Sequence, residues 1–313
     1  METTMAAKRR RKRSPLLTIL TLIVLLGAAV YGACNGMIDL PFLPEETESA
    51  HDVADALPVP GDGEVMYHFI DVGQGDAILI TTPDGNMLID TSVSGARDEL
   101  TAYLAKAGVT ELEYLVLTHP DADHIGNAAY IIENYPIKKI LMTDYVATTK
   151  TYERMLDAME NSEAEVIIPA PGETYDLGAL RNIVIAPNAE YDDPNEMSIV
   201  LKSVYGDTAV MLTGDAEHLS EEDILKAFRA EDLQCTILKA GHHGSSTSSS
   251  QAFLDAVDPE IVVISCGEGN KYGHPHDEAM RRFEAMGLKI YRTDLEGDIV
   301  FRTDGESFTL IGE

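Results

Sequence analysis

The chain is short of cysteine and of basic side chains and shows no internal repeat, and each shortage closes off a class of protein. Three cysteines in 313 residues, Cys34, Cys235 and Cys266, are too few for a disulfide framework. Cys235 and Cys266 sit in apolar, strand-like runs and read as small buried hydrophobes. Lysine and arginine number 23 against 53 acidic residues, a net charge of −30. The body is more acidic still, because Lys8, Arg9, Arg10, Arg11, Lys12 and Arg13 all precede residue 35 and Glu2 is the one acid beside them. Such a field keeps a protein soluble and repels polyanions at long range, which counts against casual nucleic-acid binding.

Long hydrophobic runs are also scarce: there is one. Residues 15–33 are uncharged and directly follow the basic cluster, a length that nearly covers a hydrocarbon core as helix. Tyr31 stands where cleavage after Ala33 would need a small residue, so the run reads as an uncleaved anchor. Cys34 after Gly32-Ala33 offers a second reading, a lipidated cysteine that replaces the helix. Under both, the basic residues stay inside and all that follows lies outside the membrane. The expected organisation is a basic cytoplasmic tail over 1–14, a transmembrane signal anchor over 15–34, a Pro- and Glu-rich linker over 35–63 that cannot bury a core, and a folded domain over 64–313.

From residue 64 short apolar runs alternate with Gly, Asp and Asn. Strands are predicted at 65–70, 77–81, 87–89, 114–117, 140–142, 166–168, 182–186, 198–205, 209–212, 236–238, 261–265, 298–302 and 307–311. Helices are predicted at 97–107, 125–134, 152–161, 221–230, 251–257 and 277–286. Strands with helices interspersed suit two sheets flanked by helices.

Chemistry gathers at strand ends. Tyr114-Leu-Val-Leu-Thr-His-Pro-Asp-Ala-Asp-His124 is an apolar strand that ends in His119, Asp121, Asp123 and His124. Imidazole and carboxylate packed that densely are what a divalent cation needs. Ala209-Val-Met-Leu-Thr-Gly-Asp215 and Thr236-Ile-Leu-Lys-Ala-Gly-His-His-Gly-Ser245 repeat the design. Strand ends on one edge of a sandwich can converge on one site.

The order His119-x-Asp121-x-Asp123-His124, then Gly214-Asp215, then Gly241-His-His-Gly-Ser245 resembles the metallo-β-lactamase superfamily. More narrowly it is similar to the extracellular hydrolase domain of ComEC-type DNA-uptake competence proteins. Phe69-Ile-Asp-Val-Gly-Gln-Gly-Asp-Ala77, Leu88-Ile-Asp-Thr91, Asn195 with Ser198-Ile-Val-Leu201, and Tyr272-Gly-His-Pro275 share that likeness, which covers roughly 64–313. It implies an α+β fold, the four-layer αββα sandwich, behind one N-terminal transmembrane helix. It implies two divalent ions, zinc or manganese: one on His119 and Asp121, the other on Asp123, His124 and His242, with Asp215 bridging and His243 as the alternative to His242.

Two departures from that pattern matter. The superfamily usually has histidine at Asp121 and another shortly before the bridging aspartate, yet none occurs here between His124 and His218. The first site is therefore oxygen-rich, which shifts preference from zinc toward manganese or magnesium and away from β-lactam hydrolysis. Asp71, Asp76 and Asp90 are read as supports behind the ligands, and Gly73-Gln74-Gly75 as a tight turn. Lys239 and Lys271, with Arg281 and Arg282, would form a basic strip beside the site, and Asn195 joins Lys239 and Lys271 in contacting substrate. His274 has two readings, a catalytic one in which it protonates a leaving oxygen or touches a phosphate, and an exposed loop histidine. His51, His68, His218 and His276 fit packing or solvent roles.

Two cations that activate water and stabilise developing charge make a serine nucleophile unnecessary, so the serines over 245–250 read as a helix cap. With Asp123, Asp215 and His274 as catalytic groups, the resemblance implies an extracytoplasmic, membrane-anchored dinuclear hydrolase, a phosphodiesterase or nuclease whose substrate is a phosphodiester such as DNA. Two alternatives are a hydrolase of a small or wall-linked ester, such as a choline-phosphate ester or a lactone, and a non-catalytic metal-binding accessory of a DNA-uptake complex. No protein partner is implied.

Overall fold

The computed structural model describes residues 57–312. The basic tail, the anchor, most of the linker, Cys34 and His51 lie outside the described residues. No helix among those described is long and apolar enough to cross a membrane.

Period-2 alternation explains the layering. In β1 (Val65–Phe69) and β2 (Ile78–Thr82), Val65, Tyr67, Phe69, Ile78 and Ile80 face one side, and Leu79 faces the other. β3 (Gly85–Ile89) pairs antiparallel with β2, β4 (Leu112–Leu117), β5 (Ile137–Met142) and β6 (Glu165–Ile167) follow it in parallel, and β13 (Ile299–Thr303) and β14 (Phe308–Ile311) extend the sheet antiparallel beyond β1. Its order is β14-β13-β1-β2-β3-β4-β5-β6. The second sheet runs β12-β11-β10-β9-β8-β7, from β7 (Arg181–Ala186), β8 (Val200–Tyr205), β9 (Thr208–Leu212), β10 (Ile237–Lys239), β11 (Ile261–Ile264) and β12 (Lys289–Arg292).

The inner faces meet in one cluster where Phe69, Ile80 and Val116 of the first sheet join Leu201, Val210 and Val263 of the second. Each such side chain contributes about 1.5–3 kcal/mol by leaving water. Outside the first sheet lie α1 (Arg97–Lys106), α2 (Ala128–Asn134) and α3 (Lys150–Glu160), which bury Leu100, Ile131 and Met155 against Leu79, Leu88 and Leu115. Outside the second lie α4 (His218–Ala227), the short α5 (Ala230–Leu233), α6 (Gln251–Val257) and α7 (Asp277–Ala285), which bury Ile224, Phe253 and Phe283 against Met211, Leu238 and Val262. These are the four αββα layers expected. Cys235 and Cys266 are buried free thiols in that second outer cluster.

The differences from expectation have local causes. Helix α4 starts at His218 rather than 221, because the buried Glu196 carboxylate accepts from the Leu219 and Ser220 amides at 3.1 and 2.7 Å. That cap lies far away in sequence. Strand β12 and the short α8 (Thr293–Glu296) were not predicted; Lys-Ile-Tyr-Arg is a short, charged edge strand paired in parallel with β11. Leu57, assigned to the linker, packs against the outer cluster of the first sheet and donates its amide to Lys106.

Candidate metal centre

The C-terminal ends of β3 and β4 in one sheet and of β9 and β10 in the other open on the same edge. They deliver Asp90, His119–His124, Asp215 and His242-His243 to one point. Asp215 Oδ2 lies 3.3 Å from His124 Nε2, 3.4 Å from His243 Nε2 and 3.7 Å from His242 Nε2. His243 Nε2 is also 3.5 Å from Asp123 Oδ2, and the His119 and His124 ring centroids are 4.1 Å apart. Ligand atoms of His119, His124 and Asp215, and of Asp123, His124 and His243, form groups within 4.8 Å.

Partner chemistry fixes the tautomers. His124 Nδ1 donates to Asp90 Oδ2 at 2.7 Å, and His243 Nδ1 donates to the Ser265 carbonyl at 2.9 Å. Thr118 Oγ1 gives its proton to Asp90 at 2.6 Å and so accepts from His119 Nδ1 at 3.1 Å. All three rings thus turn Nε2 inward, and His119 Nε2, His124 Nε2, His243 Nε2 and Asp215 Oδ1 are buried without a hydrogen bond. Buried polar atoms left in this state are costly. A divalent cation accepts lone pairs from such a set, so the residues fit a metal.

Behind the ligands sits a second charge pair: fully buried Lys239 donates to Asp76 Oδ2 at 2.7 Å and to the Ala240 carbonyl, and Asp76 Oδ1 lies 3.4 Å from His243 Nδ1. Burial works against ionised Asp76, but the Lys239 ammonium overrides it and holds the carboxyl far below its usual range. Burial also opposes charge on His124, yet Asp215 and Asp90 hold its pKa well above the ordinary value. His243 is pushed up to about 9, burial being outweighed by Asp215, Asp123 and Asp76. His119 is driven down to about 3 by burial and by its neighbour His124.

Two glycines allow the close packing. Gly75 has φ 137, and a Cβ there would meet the Asp123 carbonyl at 2.4 Å; Gly214 has φ 52, and a Cβ would press on Thr118 and Ser198. The loop read as a simple turn therefore presses on the ligand segment, with the Asp76 amide bonded to the Asp123 carbonyl. Asp90, His242 and His243 also take positive φ, at 59, 46 and 54, strain of the kind that clusters at functional sites.

The rim is looser. Half-buried Asp121 faces this cluster, its pKa raised by burial and by Asp123. His242 is 24% exposed in its side chain and donates Nδ1 to Glu217 at 2.7 Å. Asn195 Nδ2 lies 3.4 Å from the same nitrogen. His274 is buried, its ring 5.2 Å from that of His242 and 6.0 Å from that of His243, with Nδ1 unpaired. Burial and the imidazoles of His242, His243 and His276 push its pKa down to about 4, so a neutral ring, not an acid, faces the site.

Several sequence expectations are corrected by position. Lys239 belongs to no surface strip, since its ammonium is spent on Asp76 inside the protein. Arg282 likewise holds the serine loop by donating to the carbonyls of Ser246, Ser248 and Ser249. Asp71 is exposed, bonds the Gly73 amide and touches no candidate ligand, whereas Asp76 and Asp90 take the supporting places. Lys271 is exposed beside Tyr272. His68 is buried, bonded to Tyr103 and Thr81, and His276 bonds Ser246 and Tyr272.

Sequence reasoning missed Glu217, which also accepts from Thr247 Oγ1 at 2.7 Å, as well as Thr118, Ser198 and the Ser265 carbonyl. Glu217 stands two residues after Asp215 and was legible by that spacing; the Ser265 carbonyl carries no signal in its residue type.

A family model described as the metallo-beta-lactamase superfamily matches residues 70–268. ComE operon protein 3 of Bacillus subtilis (strain 168) is 29% identical over 77% of the chain and 33% of its own length. Competence protein ComA of Neisseria gonorrhoeae is 34% identical over 77% of the chain and 32% of its own length. Recombination protein 2 of Haemophilus influenzae is 30% identical over 74% and 28%. The chain spans about a third of the length of these relatives. Among solved structures, the metallo-beta-lactamase fold protein YhfI from Bacillus subtilis superposes with a TM-score of 0.53 at 11% identity, over 77% of this chain and all of that one. The diiron beta-hydroxylase CmlA from Streptomyces venezuelae gives 0.55 at 14% identity, over 79% and 55%.

Proposed function

Because this chain belongs to the metallo-β-lactamase superfamily, we propose that it is a two-metal phosphodiesterase held outside the cytoplasmic membrane by residues 15–34. The observation that carries the reading is the inward turn of three Nε2 atoms on Asp215, each fixed from behind by its own acceptor. Bound divalent cations supply the positive charge that activates water and offsets charge on a reacting phosphoryl oxygen.

One ion would rest on His119, Asp121 and Asp215, the other on Asp123, His124, His243 and Asp215. His243 is preferred to His242 because it is buried and faces both Asp123 and Asp215, whereas the His242 Nε2 stands farther off on the more exposed ring. The remaining groups position. Asp90 and Asp76 orient imidazoles, neutral His274 offers a hydrogen bond to a substrate oxygen, and His242, in ring contact with His274, lines the rim with Asn195. No serine is placed as nucleophile: Ser248 donates to the Ala216 carbonyl, and Ser250 caps α6.

A phosphodiester, DNA among the choices, is favoured by relatives whose names refer to competence and recombination. The acidic body works the other way, and favours a second reading, a cationic choline-phosphate ester. Hydrolysis of bis-(p-nitrophenyl) phosphate, single-stranded DNA and duplex DNA is measured with manganese, zinc and magnesium. Metal-dependent turnover of diesters is expected, with DNA cleavage the more salt-sensitive. Cleavage of lactones or choline esters with all diesters intact would replace the phosphodiesterase reading. Protease added to spheroplasts should digest the domain; protection behind an intact membrane would remove the topology.

A further inference from the structure

An aromatic ladder leads out of the metal centre. The His274 ring stands against His242 and His243, and the Tyr272 ring stacks on His274 with centroids 5.7 Å apart and planes 19° from parallel. Tyr272 is 51% exposed, an aromatic among the few large hydrophobic side chains so placed in the described residues. The Lys271 ammonium lies 4.8 Å from its ring centroid.

An exposed tyrosine usually gains nothing from a fixed pose, yet this one is held. Asn270 Nδ2 donates to the carbonyls of Gly267 and His274 at 2.9 and 2.6 Å, while its Oδ1 accepts from the Tyr272 and His274 amides at 3.2 and 3.0 Å. His276 accepts from the Ser246 amide through Nδ1 and donates to the Tyr272 carbonyl through Nε2. The loop is preformed, so a flat ligand meets the ring without an ordering cost.

We propose that Tyr272 is a nucleobase platform at the mouth of the site, stacking a base next to the scissile phosphodiester while Lys271 swings from the ring to a neighbouring phosphate. The proposal rests on the phosphodiesterase reading and names a recognition element for it. Every base has a π-face, so the platform is sequence-tolerant, and a duplex, whose bases already stack on each other, cannot offer that face. Single strands are therefore the preferred substrate.

The test uses manganese-loaded full chain and Tyr272→Ala and Tyr272→Phe variants on three substrates: a short oligothymidylate, the same backbone with abasic sites, and a duplex. Stacking on an aromatic is lost with a roughly five- to hundredfold rise in KM. Tyr272→Ala should show that rise on oligothymidylate, a several-fold smaller one on the abasic strand and the duplex, and Tyr272→Phe should behave as wild type on all three. Equal KM for wild type and Tyr272→Ala on oligothymidylate would overturn the platform and leave the phosphodiesterase intact. A wild-type protein that cleaves no diester with any metal would remove the phosphodiesterase reading and the platform with it.

Discussion

The floor and the rim of the site are built to opposite rules. On the floor, Asp90, Asp76, Lys239, His119, His124, His243 and Asp215 are all buried, and each is tied to a partner or to a tautomer. On the rim, Asp121, His242, Asn195, Tyr272 and Lys271 are partly or fully exposed and arise from loops. A buried, over-determined set gains rigidity at the cost of desolvation, so it suits chemistry that tolerates little displacement. A wet, loop-borne set can vary with substrate. Substitutions on the two should therefore differ in kind: floor changes remove metal or stability, rim changes alter recognition.

The largest effect is expected at Asp215, whose Oδ2 lies within 3.7 Å of the Nε2 atoms of His124, His242 and His243. Asp215→Ala should lower turnover more than about a hundredfold, since even the outlying partners of metal ligands cost about 10–100-fold. Metal analysis should show fewer than the two ions expected of a two-metal site. An active, fully loaded Asp215→Ala protein would break the contrast at its centre.

Next stands the buried pair. Removing one partner of such a pair leaves an uncompensated charge and costs about 3–5 kcal/mol, so Lys239→Met should lower the urea midpoint sharply. The double variant Lys239→Met/Asp76→Asn should recover part of the loss, because the orphaned carboxylate is gone. Lys271→Met on the rim should stay within about 0.5 kcal/mol. Equal midpoints for Lys239→Met and Lys271→Met would erase the distinction between floor and rim.

That pair also marks where the sequence is readable. The floor's ligand types were legible because strand ends announce themselves as apolar runs closing on His, Asp and Gly, as in 114–124 and 209–215. The same runs suited two sheets flanked by helices, and the αββα layering was what the family resemblance implied. Side-chain destination was not legible: Lys239 and Arg282 read as surface cations by type and proximity, but burial depends on which layer covers the strand end. The choice between His242 and His243 turned on two positive-φ residues and the Ser265 carbonyl just past β11, none visible in a pair of identical letters. Glu196 acts on α4 across a long sequence separation, so local pattern gave it no role, whereas Glu217 was signalled by its place two residues after Asp215 although its partner His242 is distant in sequence.

A third histidine environment sharpens the contrast. His68 is as buried as the floor imidazoles but has only Tyr103 and Thr81 as partners, with no carboxylate. Burial pushes its pKa down from 6.5 to about 4. The unfolded chain therefore binds more protons than the folded one between these values, and stability present above pH 6.5 falls as the pH drops toward about 4. The loss reaches about 3 kcal/mol at most. Urea midpoints of wild type and His68→Asn compared from pH 7 to 4.5 should converge as the pH falls; a constant gap would show that His68 does not titrate with unfolding.

The smallest effect is expected where a sequence reader would first look for a nucleophile. Ser246 sits beside the paired histidines, but its amide donates to His276 Nδ1 at 3.0 Å, its hydroxyl lies 3.2 Å from the same nitrogen, and its carbonyl accepts from Arg282. None of these contacts reaches Asp215 or the inward Nε2 atoms. Ser246→Ala loses one hydroxyl contact at the rim and keeps both backbone bonds that hold the loop. Stability should shift by no more than about 0.5 kcal/mol, and kcat on a small diester should stay within about twofold, since metal-activated water leaves the hydroxyl no role. A covalent serine mechanism predicts the opposite, because removing its nucleophile costs orders of magnitude in kcat. A collapse of kcat in Ser246→Ala with metal content unchanged would move the chemistry from the floor to the rim.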